Sequence, residues 1–131
     1  MIVYAIAKYL VYSFWCYVGL RMLAGQMRPL RQALGFGAVR WSLGLVLGLL
    51  VFVASGSVDR NSLAVLYFGI YTPLRLFEWT LMTWLILRQH PQTSVRARIA
   101  WVLGGLVISF ATDAVSPDGL AGRFCVGRCL C

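Results

Sequence analysis

Four long apolar runs divide this chain, at approximately Ile2 to Ala24, Phe36 to Ser55, Leu63 to Leu87 and Ile99 to Ser116. Each is close to the roughly 20 residues that an α-helix needs to cross about 30 Å of hydrocarbon. A backbone inside a bilayer finds no water, so its N–H and C=O groups must bond within helices or a closed barrel. The runs use most of the 131 residues, and the connections are too short to build a soluble domain with its own core. Composition points the same way, with 60% hydrophobic and 12% charged residues against roughly 25% charged in soluble proteins. A soluble four-helix bundle would need a polar stripe on every helix, and Leu43 to Val53 has none.

The expected fold is therefore all-α: a polytopic membrane protein forming an antiparallel bundle of four transmembrane helices. It is read as one integral membrane domain over residues 1–131, with a cysteine-containing C-terminal tail at 117–131. The first run lacks a basic leader and exceeds the roughly 7–15 apolar residues of a signal peptide, so it is read as a retained span.

Charge suggests an orientation. The net charge is +8, with Arg21, Arg28, Arg31 and Arg40 placed around the first loop and Arg88, Arg96 and Arg98 around the third. The second loop sets Asp59 beside Arg60. The positive-inside rule then puts loops 25–40 and 88–98 in the cytoplasm and both termini outside, in a bacterial inner membrane. Basic loops at a membrane surface attract anionic lipid headgroups, and membrane lipids rather than nucleic acid are the expected contacts. The stretch from Met27 to Leu34 suits either a short interfacial helix or an irregular connector.

The third run holds the most informative residues. Arg75 and Glu78 lie near its centre, where an ionised side chain costs roughly 2.5–3.5 kcal/mol on insertion scales. Three residues apart on a helix, they share a face and are expected to pair. Tyr67, Tyr71, Arg75, Glu78 and Met82 follow steps of four, four, three and four, one stripe facing the bundle interior. Pro73 precedes the pair by about half a turn and removes a backbone donor. Asp113, near the end of the fourth run, is the second buried acid candidate, with Lys8 of the first run as its partner across the bundle. Tyr4, Tyr9 and Tyr12 surround Lys8 in sequence. Small residues at close spacing, Gly44 with Gly48 and Ala100, Gly104, Gly105 with Ser109, mark faces where helix backbones approach.

The tail carries Cys125, Cys129 and Cys131, while Cys16 stands alone in the first run. Outside a bacterial inner membrane these tail thiols suit a disulfide, within the chain or to a partner. No CxxC pair or neighbouring histidine supplies a metal set, so no metal is expected. His90 is the one histidine, and no HExxH, GxSxG or phosphate-loop pattern occurs, so no cofactor is expected and enzymatic function is poorly supported. In length and span number the chain resembles small multidrug transporters and small quinone-linked disulfide oxidoreductases. It departs from both, because its glutamate is in the third span and its clustered cysteines are in the tail.

These features predict a small multispan protein acting as a subunit or interaction partner in a membrane assembly, with other membrane subunits or further copies of itself. Two other readings use the same residues. One is a membrane enzyme acting on a lipid-linked or polyprenyl phosphate, with Arg75 as anion fork and Glu78 as base. The other is a small oligomeric proton-coupled transporter, with Glu78 carrying the proton.

Overall fold

The apolar runs become helices wherever capping chemistry lets them start and stop. The computed structural model describes residues 2–26, 29–55, 63–88 and 93–116. It contains α1 (Ile2–Ala24), α2 (Leu30–Ser55), α3 (Leu63–Leu87) and α4 (Val95–Ala114), with no strand among the described residues. Gly25 ends α1 with φ 61°, a left-handed conformation that costs glycine little. Pro29 opens α2, its carbonyl accepting from the Ala33 N–H at 2.7 Å. Ser94 caps α4 by accepting from the Ala97 N–H at 3.3 Å. α3 runs through Pro73 as a single helix.

Two helix starts differ from the sequence expectation, and the caps explain both; α4 also ends at Ala114, two residues before the expected Ser116. α2 starts at Leu30 rather than Phe36, and α4 at Val95 rather than Ile99. Hydrocarbon thickness sets how much of a helix must be apolar, but it does not end the helix; Pro29 and Ser94 do that beyond the apolar run. Residues 30–34 are thus the first turn of α2 and not a separate interfacial helix, while Met27 and Arg28 lie outside the described residues. Arg31, Arg40, Arg96 and Arg98 stand on helices, and the basic connections shrink to 25–29 and 88–94.

The chain is a multi-pass membrane protein by the length and apolarity of its helices. α1, α2 and α4 are each long and apolar enough to cross a bilayer. α3 has the length but is borderline in apolarity, because Arg75, Glu78, Pro73 and the two tyrosines interrupt it.

The four helices form an antiparallel bundle. α1 lies closest to α2 and α3 closest to α4, while α1 also touches α3 across the centre and α2 keeps its backbone away from α4. Helices in lipid gain little from apolar burial against one another, so close van der Waals packing must hold them. Glycines supply the closeness. A Cβ on Gly19 would overlap the Trp101 indole, one on Gly105 the Trp79 indole, and one on Gly104 the Trp15 ring. Trp79 and Trp101 meet edge to face, with centroids 5.2 Å apart and planes at 90°. Trp15 and Trp101 each donate an indole N–H to the other's backbone carbonyl, both at 3.2 Å. Cys16, Leu20, Leu23, Met82 and Ile86 complete this apolar core, which fills the bundle toward the Ala24 end of α1.

Candidate functional site: a charged brace across four helices

The other half of the interior, toward the Ile2 end, is polar. On α4, Asp113 is buried one residue before the helix ends, and three groups converge on its carboxylate. Lys8 of α1 places Nζ 2.5 Å from Oδ1. From α3, the Tyr67 hydroxyl donates to Oδ2 at 2.7 Å and Arg75 Nη2 at 2.8 Å. Tyr67 and Arg75 are eight residues apart, two helical turns, so both reach the same side of α3 and bracket the carboxylate along its axis.

Glu78 is buried a little deeper and takes its principal partner from α2. Arg40 Nη2 lies 2.6 Å from Glu78 Oε2, in a close ion contact that lacks the alignment of a hydrogen bond. Arg40 is 0% exposed. Its guanidinium sits between the Tyr12 and Trp79 rings, 4.8 and 5.0 Å from their centroids, where cation–π attraction replaces part of its lost hydration. Arg40 Nη2 also reaches Ser109 Oγ of α4 at 3.4 Å, so one side chain bridges the pair of helices whose backbones stay apart. Ser109 is held in turn by the Trp79 N–H at 3.0 Å and by its own bond to the Gly105 carbonyl at 2.9 Å. Gly44 makes room for this arginine, since a Cβ there would stand 3.3 Å from Nη1.

Arg75 joins the two carboxylates. Besides Asp113 it approaches Glu78 Oε2 with Nη1 at 3.6 Å and donates to the Tyr12 hydroxyl at 3.5 Å. The result is a continuous series, Lys8, Asp113, Arg75, Glu78 and Arg40, that draws a charge from every helix. Three cations face two carboxylates, which leaves one positive charge in excess within the brace. The buried Arg40 Nε and Nη1 and Arg75 Nε have no hydrogen-bond acceptor among the described residues.

Arg75 and Glu78 do share a face, but their mutual contact is the longest ion contact in the brace, and each has a closer partner on another helix. The expected local pair is present, and it is one part of a larger set: groups on facing helices reach Glu78 and Arg75 at shorter range. Lys8 and Asp113 come together across α1 and α4. Tyr67 bonds Asp113, while Tyr71 stacks on Tyr67 with centroids 4.8 Å apart and lies under Arg75 at 5.8 Å. Of the tyrosines around Lys8, Tyr12 enters the brace, Tyr4 donates to the Thr112 carbonyl at 2.8 Å, and Tyr9 bonds the Leu34 carbonyl at 3.2 Å on the outside. Cys125, Cys129 and Cys131 lie outside the described residues, as do Asp59, Arg60 and His90.

Sequence reading missed Arg40. Counted with the first loop's arginines, it is in fact ten residues into α2 and wholly buried. The signal was its isolation, with Ala38 and Val39 before it and an apolar run after it. An arginine four residues inside an apolar run is already a polar-site candidate. Ser109 stands in the sequence as a small packing residue, and nothing in its neighbourhood marks it as an arginine contact.

Among the described residues no three His, Cys, Asp or Glu side chains converge as a metal set. No family profile matches the chain, and no curated protein or solved structure gives a significant match.

Proposed function

We propose that the chain is a non-catalytic subunit or interaction partner in a membrane assembly, with the brace fixing its helices in register. One observation carries this reading: both intramembrane carboxylates are already engaged by cations from facing helices, Asp113 by Lys8 and Arg75, Glu78 by Arg40 and Arg75. A carboxylate so held is a poor general base and a poor proton carrier, whereas it is well suited to specify one arrangement of four helices. The outer surface supplies a face for a partner. Gly35, Ala38 and Ser42 of α2 are exposed along one side, and a Cβ on Gly35 would meet nothing within 4 Å. Such a face gains more from a close-packed helix than from lipid tails. The orientation that suits this role has the basic connections in the cytoplasm of a bacterial cell and the Ile2 end outside.

The test is purification in mild detergent beside Gly35→Leu and Ser42→Leu variants. A stoichiometric protein partner or oligomer should accompany the native chain and be lost from the variants while their thermal stability holds. A monomer with no protein partner in both detergent and lipid nanodiscs would reject the proposal. So would a Glu78→Gln variant that assembles normally but loses a proton-coupled flux, which would assign transport instead.

A second reading rests on the surplus positive charge. The unpartnered donors of Arg40 and Arg75 favour an anionic group entering the brace, as a lipid-linked phosphate substrate would require. Under that reading a phosphorylated lipid co-purifies with Glu78→Gln, and assembly is unaffected.

A further inference from the structure

Away from the brace, α3 and α4 leave a groove of about 660 Å³ between them on the outer surface. Its walls are mostly apolar, running from Leu76 past Thr80 and Trp84 on α3 and along Leu103 on α4, with Arg88 and Arg98 at its Ala24-end mouth. From Leu76 to Arg88 the groove follows twelve residues of helix, about 18 Å at 1.5 Å per residue. One leaflet's hydrocarbon is about 15 Å deep, half the bilayer core. The groove is therefore as long as one acyl chain in one leaflet, and its arginines sit where that chain's headgroup would be.

The charge at the mouth is one-sided. Among the described residues no acid lines the groove, and none stands in the first turn of α4. Basic side chains at a helix N-terminus also stand against the helix dipole, an arrangement that an external anion relieves. Arg88 is held over the mouth by the exposed Trp84, its guanidinium 5.6 Å from the ring. We infer that this groove seats an anionic phospholipid, with one acyl chain along Leu76 to Leu87 and Leu103 and its phosphate on the guanidinium groups of Arg88 and Arg98. The site shares no residue with the brace, so it stands or falls independently of the assembly reading.

Trp84 provides the readout. The full chain is reconstituted in phosphatidylcholine vesicles containing a minor fraction of brominated phosphatidylglycerol, or of brominated phosphatidylcholine as the comparison, and tryptophan quenching is followed. The anionic lipid should quench more strongly at equal fraction, and Trp84→Phe should remove most of that excess. The double variant Arg88→Gln, Arg98→Gln should weaken the preference about thirtyfold. Arg21→Gln with Arg31→Gln, which removes two exposed arginines off the groove, should leave it in place. Equal quenching by the two lipids overturns the inference, as does an equal loss in the Arg21 and Arg31 variant, which would mean general surface attraction. A Leu103→Cys variant that crosslinks to a second copy of the chain in these vesicles would give the groove to protein and overturn it as well.

Discussion

The two halves of the bundle interior hold the same four helices by different physics. Toward the Ile2 end, Lys8, Arg40, Arg75, Glu78 and Asp113 join the helices through charged contacts of 2.5 to 3.6 Å. Toward the Ala24 end, Trp15, Trp79 and Trp101 fill the gaps left by Gly19, Gly104 and Gly105. In water the hydrophobic effect would help the aromatic half; in lipid it helps neither, so each must rely on contacts that lipid cannot match. Charges cannot be left single in a low dielectric, so the brace punishes any slip of one helix past another. The aromatic half punishes separation, because an indole withdrawn from its glycine notch leaves a void. One half therefore sets register and the other sets distance.

That division can be broken experimentally, and the brace should break hardest. Glu78→Ala leaves Arg40 and Arg75 without their shared carboxylate and should cost about 3–5 kcal/mol of stability. Reversible unfolding in mixed micelles by sodium dodecyl sulfate titration measures it. The double variant Arg40→Leu, Glu78→Leu removes both charges and should lose less than Glu78→Ala alone. A double variant worse than the single would show that the pair is not the unit of stability.

Tyr67→Phe removes the hydroxyl donated to Asp113 and should cost about 1.5–3 kcal/mol, as expected for a bond to a charged acceptor. Gly105→Val tests the aromatic half, since its new side chain must displace Trp79, and a loss of about 1–3 kcal/mol is expected. The two should also differ in kind. Gly105→Val should widen the α3–α4 spacing, measured by spin-label distances, whereas Tyr67→Phe should leave it unchanged. Val107→Ala, on the lipid-facing side of α4, should change stability by less than about 0.5 kcal/mol and serves as the baseline.

How much of this was legible in the sequence depends on whether the determining physics is local. α1 and α3 have the limits that their apolar runs indicate, Ile2–Ala24 and Leu63–Leu87. α2 and α4 start before theirs, because Pro29 and Ser94 act as caps ahead of the hydrocarbon-length run. The stripe of Tyr67, Tyr71, Arg75, Glu78 and Met82 could be drawn from helical spacing, and all five side chains are buried. Spacing on one helix says nothing of what faces it. Arg40 is therefore easily counted with the loop arginines, and the Arg75–Glu78 contact, legible from spacing and present at 3.6 Å, gives no hint that Asp113 and Arg40 stand closer.

The sequence by itself determined that this chain is helical, that it belongs in a membrane, and that its third helix turns a polar stripe inward. Those properties follow from apolar length and periodicity, which act within a single segment. Only the tertiary structure decided which cation meets which carboxylate, which glycine receives which indole, and where one arginine bridges two helices whose backbones stay apart. Those outcomes depend on the rotation and depth of four helices at once. In a water-free interior a few ångströms of either decide whether a charge is paired or stranded.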